Sequence, residues 1–186
     1  MSDPYLIPGT RTLANKLGVT NRVELDAVER DASTLRQFEF ISRVYEGELD
    51  FNFQKAIHRE LFGDVYYWAG DLRMVDMSKG IHSAFAPAHL LEKSGVMVLD
   101  ALAKDNCLIG LTRSQFIERA SYHFGEVNFV HPFREGNGRT QRLFFDEVAK
   151  LNIEIDYLIN NAGLGGQGYY HERSWKAENN MMQLNM

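Results

Sequence analysis

Apolar residues recur at three- and four-residue intervals along most of the chain, and this period predicts a mainly helical protein. Residues 22–46 carry the repeat, and Gly47 follows them as a stop signal. Pro87 suits the first turn of a helix, and Thr112 with Gln115 fits a capping box. The predicted helices cover residues 22–46, about 52–62, Pro87 to about 104, Thr112 to about 129, and 139–150.

One short stretch departs from the helical period. Residues Leu72–Met77 alternate in polarity, and together with residues 81–85 they predict a small β-hairpin between the second and third helices. The predicted fold class is therefore mainly α with one hairpin.

Length, charge and cysteine content limit the classes of function. The 186 residues suit one domain with a substantial core, and the formal charge of −5 argues against a broad surface for nucleic acid or membrane lipid. The single cysteine, Cys107, excludes an internal disulfide and suits a reducing cytoplasm, and no apolar run reaches membrane-spanning length. We expect a cytoplasmic protein, or one delivered into a host cell as part of a secreted effector.

Residues 131–142, HPFREGNGRTQR, hold the densest chemistry of the chain. Pro132 is expected to keep His131 extended and so to end the preceding helix. Gly136 and Gly138 can adopt positive φ and allow a ligand close to the main chain. Because the next helix starts here, its N-terminus would face this turn, where amide groups and the helix dipole favour an anion.

The charged side chains of this segment suit a polyphosphate. Arg139 and Arg142 are three residues apart on one helix face, and guanidinium groups grip phosphate oxygens in pairs. Glu135 beside phosphates is the natural ligand of a Mg²⁺ ion, which commonly binds a carboxylate together with phosphate oxygens. His131 titrates near neutral pH and could take a proton from an incoming hydroxyl.

Each of these features has an ordinary interpretation when taken singly. A Gly-Asn-Gly sequence is most often a simple turn, and the arginines could pair with Glu135 or Asp146 on a solvated helix face. His131 alone could be a helix-end residue. Together the features favour a phosphate site, although neither the GxxxxGK[ST] nor the GxGxxG phosphate loop is present.

The same segment resembles the full signature of the Fic family, HxFx(D/E)GNGRxxR, at every signature position. The resemblance continues upstream in residues 56–62 and 67–70, which are similar to the family's IHRxLF and WAG stretches, and in residues 76–80, which are similar to its flap. It implies a Fic-fold helical bundle with a small β-hairpin flap over the active site. A single domain over 1–186 is expected, with its core at about 50–160, N-terminal helices in 10–47 and a C-terminal helical segment in 160–186.

The resemblance implies protein adenylylation, in which AMP passes from ATP to a Ser, Thr or Tyr hydroxyl of a target protein with Mg²⁺ as cofactor. His131 would be the general base, Glu135 would hold Mg²⁺, and Phe133 would anchor the loop in the core. The related Doc-type phosphotransferases carry Lys where Gly138 stands, so Gly138 favours AMP transfer. The nucleotide-binding residues that the resemblance implies are Lys79 and Gly80 at the flap tip, Gly136, Asn137 and Gly138 as the anion hole, and Arg139 and Arg142 on the β- and γ-phosphates.

Inhibition is also implied by the resemblance. Family members are commonly restrained by a helix with the pattern [ST]xxxE[GN], whose Glu pairs with the second motif arginine, here Arg142. The pattern occurs at Ser42 with Glu46 and again at Ser174 with Glu178. The resemblance to toxin-type members favours a separate small antitoxin as the source of this helix, with Glu46 as the internal candidate.

Several functional alternatives stay open. Other chemistry of the same family includes UMP transfer, phosphotransfer and removal of AMP, and a non-catalytic module that binds a partner through the flap is a different class. In the favoured interpretation the target docks on the flap by main-chain pairing, and type II topoisomerase subunits are among the targets that the resemblance implies. Four other residues are expected to be structural: His58, Tyr67, Trp68 and His123.

Overall fold

The structure, a computed structural model, describes residues 3–78 and 84–151. This part of the chain is mainly helical, as the sequence predicts. It contains five α-helices: α1 (Arg22–Ile41), α2 (Phe51–Phe62), α3 (Leu91–Lys104), α4 (Arg113–Val130) and α5 (Asn137–Lys150). Two short 3₁₀ turns, Ala88–Leu90 and Asn106–Leu108, precede α3 and follow it. The predictions for Lys79, Gly80, Ser174, Glu178 and the C-terminal segment lie outside the described residues.

Side-chain caps define the starts of three helices. Asn21 accepts hydrogen bonds from the second and third amides of α1, and Asp50 accepts one at the start of α2. The predicted capping box of Thr112 and Gln115 is present at the start of α4. The N-cap of α5 is Gly136, which has no side chain to cap the helix, and α5 begins at Asn137, two residues before the predicted start.

The predicted extension of α1 to residue 46 is wrong. The helix ends at Ile41, and the chain reverses through an exposed loop to Asp50. It turns because Tyr45 stacks on Phe53 of α2 with ring centroids 3.7 Å apart, which a straight helix could not reach. The hydroxyl of Ser42 donates to the Glu39 carbonyl and satisfies one orphan acceptor of the last turn.

The core is centred on α2, which packs against α1, α3 and α5, while α4 packs against α3 and α5. Phe62 of α2 and Phe144 of α5 are fully buried, and Leu102 brings α3 into the same cluster. Burial of each such side chain contributes about 2–3 kcal/mol before entropy is counted. The loop between α4 and α5 is therefore mounted on core helices.

The predicted hairpin is reduced to a single bridge in the described residues. Ser78 and Ala84 form an isolated antiparallel bridge, and the Phe85 amide donates to Met77 across it. Neither arm, residues 74–78 or 84–86, is a named strand. The backbone at the base of the arms bonds elsewhere, since the Arg73 amide donates to the Pro132 carbonyl at 2.9 Å. In the part of the chain described, no helix is long and apolar enough to cross a membrane.

Candidate active site

His131 ends α4 in a left-handed conformation. Its φ and ψ are 47° and 59°, so the expected extended conformation is wrong, although the helix does end here. Pro132 disfavours only the right-handed helical region for the residue before it, and the left-handed region meets that restriction. The His131 ring stacks on Phe85 of the second flap arm, with centroids 3.8 Å apart and planes 8° apart. One flap arm thus contacts the predicted base.

The Asn137 side chain closes the loop. Its Oδ1 accepts from the Phe133 amide at 2.8 Å, and its Nδ2 donates to the Phe133 carbonyl at 2.7 Å. The clamp occupies the side-chain amide of Asn137, and the role implied for its main-chain amide in the anion hole stays a prediction. Phe133 is fully buried, as predicted for an anchor, and stacks on His58 at 3.8 Å.

The two glycines of the turn serve different purposes. Gly136 has the expected positive φ of 79°, and a Cβ there would overlap the ring of Phe62. Gly138 lies inside α5 and is not among the residues with positive φ, so it does not use that conformational freedom. Gly138 is exposed on the first turn, between the buried Asn137 and Thr140, and Nη1 of Arg142 lies 3.5 Å from the position of a Cβ on Gly138.

The N-terminus of α5 has the character of an anion site. Its N-cap is Gly136, which offers no side chain to the helix amides, and the exposed Arg142 reaches back over its first turn. A positive end of a helix beside a guanidinium is unfavourable unless an anion satisfies both. The Gly136 amide of the expected anion hole donates to Oε1 of Glu135 at 2.9 Å.

Arg139 is held by α1, which the sequence did not indicate. Its Nη1 donates to the Ser33 hydroxyl at 2.8 Å, and its Nη2 forms an ion pair with Glu29. The guanidinium also lies over the Phe62 ring at 4.6 Å. Glu135 is the partner considered from the sequence, but its Oε1 lies 3.9 Å from Nη2 of Arg139, farther than the carboxylate of Glu29.

The carboxylate that anchors Arg139 is itself buried. The side chain of Glu29 is 7% exposed, and its other oxygen accepts from the Tyr66 hydroxyl. Burial, together with the hydrogen bond to Glu29, raises the pKa of Tyr66, which therefore stays a neutral donor. Glu29 and Ser33 are spaced i, i+4 in line with the buried Leu25, and polar residues on that face are the signal that could have identified them.

Glu135 fits a cation that is shared with a ligand. Its side chain is 47% exposed, and only Oε1 hydrogen-bonds within the described residues. No group of three or more His, Cys, Asp or Glu in residues 3–78 and 84–151 could hold a metal ion. The residues therefore suit Mg²⁺ bound through one carboxylate and phosphate oxygens rather than a site made by protein alone.

His58 of α2 supports the loop between α4 and α5. Its Nδ1 accepts from the Gly70 amide at 2.7 Å, so the neutral ring carries its proton on Nε2 and donates to the Glu135 carbonyl at 2.9 Å. Burial lowers the pKa of His58 to about 3. The structural role expected for His58 agrees with this geometry.

The other three residues expected to be structural differ from one another. His123 is 1% exposed and contacts Asp105 at 2.7 Å, and the partly buried Trp68 stacks on Tyr66 at 4.3 Å. Tyr67 is 73% exposed and does not belong to the core, and the expectation that it is structural rather than catalytic stays a prediction.

The two residues proposed for internal inhibition lie in the loop after α1. Ser42 and Glu46 are exposed there, and Glu46 forms no ion pair with Arg142 in the described residues. The buried acidic side chain that contacts a motif arginine comes from a different part of the chain, since Glu29 pairs with Arg139. Inhibition by Glu46 stays a prediction.

Comparisons with known proteins agree with this geometry. The Fic/DOC family model matches residues 48–149. The protein adenylyltransferase VbhT of Bartonella schoenbuchensis is 41% identical over 157 residues, which are 84% of this chain and 33% of that protein. The probable protein adenylyltransferase Fic of Escherichia coli K12 is 30% identical over 186 residues, 99% of this chain and 89% of that protein. The crystal structure of BepC from Bartonella tribocorum with bound AMPPNP has a TM-score of 0.73 and 28% identity, covering 78% of this chain and 76% of that one.

The clamp at Asn137 leads to a stability prediction. Asn137→Ala leaves the buried amide and carbonyl of Phe133 without partners, so we expect unfolding free energy to fall by about 3 kcal/mol. Urea denaturation measures this, with the exposed Asn52→Ala of α2 as the matched control. A loss no larger than that of the control would contradict the clamp.

The neutral state of His58 leads to a pH prediction. The folded pKa of His58 lies below its ordinary value of 6.5, so the unfolded chain binds the extra proton between pH 6.5 and about 3. Stability therefore falls as the pH drops through this window, by about 2 kcal/mol from pH 7 to pH 5. Urea denaturation at both pH values should show a smaller fall for His58→Gln, and an equal fall in both proteins would show that His58 does not titrate this way.

Proposed function

The chain belongs to the Fic/DOC family, and from its site we propose that it transfers AMP from ATP to a Ser, Thr or Tyr hydroxyl of a target protein. The observation that carries the proposal is the N-terminus of α5, which has Gly136 as its N-cap, is flanked by Arg142 and is preceded within one short loop by His131. The names of VbhT and of the Escherichia coli protein, and the AMPPNP bound to BepC, support the same reaction.

His131 acts as the general base. Its imidazole accepts the proton of the target hydroxyl while that oxygen attacks the α-phosphorus of ATP. A bond forms between the hydroxyl oxygen and the α-phosphorus, and the bond from the α-phosphorus to the bridging oxygen breaks. Pyrophosphate takes that electron pair and leaves. Stacking on Phe85 fixes the plane of the imidazole for this step.

The phosphates bind along the start of α5. The main-chain amides of Gly136, Asn137 and Gly138 form the anion hole at the positive end of the helix dipole. Arg142 supplies an exposed guanidinium, and Arg139 supplies the donors that Glu29 and Ser33 leave unused. Because α1 fixes one edge of Arg139, less side-chain entropy is lost when the nucleotide binds.

Glu135 is the residue that would hold Mg²⁺. A bound Mg²⁺ would neutralise charge on the phosphate oxygens. Movement of the Glu135 carboxylate toward the nucleotide would also release the Gly136 amide, which now donates to it, for the anion hole.

The target docks on the flap. The arms are joined by the Ser78–Ala84 bridge, and pairing of an extended target segment with an arm would present its hydroxyl to His131. Lys79 and Gly80 at the flap tip complete the nucleotide site in this proposal. Type II topoisomerase subunits remain the proposed class of target.

Regulation in this proposal comes from a separate antitoxin that brings an inhibitory glutamate to Arg142. Arg142 suits such control because it is exposed, whereas Arg139 is already paired within the chain. The alternative reaction, phosphotransfer, is disfavoured because the Doc-type phosphotransferases carry a lysine at the position of Gly138, and this chain has glycine there.

Label transfer tests the proposed reaction. With Mg²⁺ and bacterial lysate proteins, we expect label from the α-phosphate of ATP, and none from the γ-phosphate, to enter protein. His131→Ala should lower this transfer at least about 100-fold, since it removes the general base, and leave ATP affinity within a few-fold. His123→Gln is the control histidine. Label from γ alone would establish phosphotransfer, and equal transfer by His131→Ala would exclude the assigned base.

The anchor of Arg139 can be tested separately. Glu29→Ala strands a partly buried guanidinium and the Tyr66 hydroxyl, so we expect a loss of about 2 kcal/mol of stability and weaker ATP binding. Denaturation and calorimetric titration with Mg²⁺-ATP measure the two effects. Asp31→Ala, an exposed residue of the same helix, removes the same charge and should change neither. ATP affinity equal to that of the unsubstituted protein would mean that Arg139 does not contact the phosphates.

A further inference from the structure

Arg73 is a buried cation with unusual partners. It is 2% exposed, and among the described residues its side chain donates only to main-chain carbonyl oxygens. No carboxylate lies within ion-pair distance of it in residues 3–78 and 84–151. The acceptors are those of His131 at 2.8 Å, Val75 at 2.7 Å, Ala86 at 2.5 Å and Val130 at 3.4 Å.

These four carbonyls belong to three different segments. Val130 and His131 form the C-terminal end of α4, where a cation complements the negative end of the helix dipole. Val75 lies in the first flap arm and Ala86 in the second. One planar guanidinium therefore ties both arms to the peptide that carries the catalytic imidazole.

Other contacts make the same connection. The Arg73 amide donates to the Pro132 carbonyl at 2.9 Å, and the Ala86 amide donates to the Phe129 carbonyl at 3.0 Å. The residue before Ala86, Phe85, is the one that stacks on the His131 ring. A shift of the flap base would therefore move the ring as well as the backbone of His131.

Core stability alone does not account for this arrangement. Burial lowers the pKa of Arg73 and outweighs the attraction of Asp76, so the buried charge is costly. An apolar side chain at such a position is often as stable or more stable. Arginine offers something else, because its rigid fork directs five N–H donors in fixed directions and can reach several carbonyls at once.

We propose that Arg73 is a positioning residue that sets the distance between the flap and His131, so that a hydroxyl presented on the flap lies within reach of the imidazole. The inference rests on the proposed function for its catalytic consequence. Arg73 touches neither the α5 N-terminus nor the motif arginines, so it governs the transfer step and not nucleotide binding.

Arg73→Lys tests the proposal, since it keeps the positive charge and loses the planar fork. We expect transfer of α-label to fall about 100-fold, as for a reacting group displaced by about 1 Å, while affinity for Mg²⁺-ATP stays within about two-fold. Leu99→Ala in α3 is the control for general destabilisation, and at a temperature well below its melting point it should leave transfer unchanged. A parallel loss of ATP affinity, or unchanged transfer, would overturn the proposal.

Hydrogen exchange gives a second measurement that needs no activity. In Arg73→Lys, exchange should rise in peptides covering residues 73–78, 84–88 and 127–132, and stay unchanged in α5. A uniform rise across the chain would mean that Arg73 is merely structural. This pattern decides the proposal even if α-label transfer fails in the unsubstituted protein. Should the lysine variant not fold, Arg73→Gln, which removes the buried charge and keeps two donors, is measured against the same outcomes.

Discussion

The site depends on the pair of hydrogen bonds between the Asn137 side chain and the backbone of Phe133. This clamp closes a five-residue loop so tightly that Gly136 must take a positive φ and pass against the Phe62 ring. The closure places His131, the proposed base, at the end of one helix and the proposed phosphate-binding terminus at the start of the next. Phe133 is fully buried, so its backbone amide and carbonyl could not hydrogen-bond to water if the clamp were broken.

Support for this loop comes from helices that are distant in sequence. His58 of α2 is kept neutral by burial, so its ring can accept a hydrogen bond from the Gly70 amide and donate one to the Glu135 carbonyl. Glu29 of α1 balances the charge of Arg139 and fixes one of its edges, whereas Arg142 keeps its charge exposed at the helix terminus. The two motif arginines thus differ in kind. One is part of a rigid framework, and the other is open to a phosphate or to a regulator.

The sequence predicted what local patterns determine. Apolar periods located the five helices, the capping box fixed the start of α4, and the chemistry of residues 131–142 indicated a phosphate site. The end of α1 was misplaced because the Tyr45–Phe53 stack that turns the chain is a tertiary contact. The partners of Arg73 and Arg139 were missed for the same reason. Arg73 donates to main-chain carbonyls, which any residue carries, and the carboxylate that pairs with Arg139 lies more than a hundred residues away in the sequence. Neither kind of partner leaves a signal in local spacing.

The central claim is that the loop is organised before any nucleotide arrives, and exchange of the Phe133 amide tests it most directly. Hydrogen exchange of this amide is measured by NMR in the absence and presence of Mg²⁺-ATP. The account predicts that the amide is already strongly protected without nucleotide, with a free energy of opening close to that of global unfolding. Fast exchange without nucleotide, followed by protection only when Mg²⁺-ATP is added, would show that the ligand builds the site and would contradict the account.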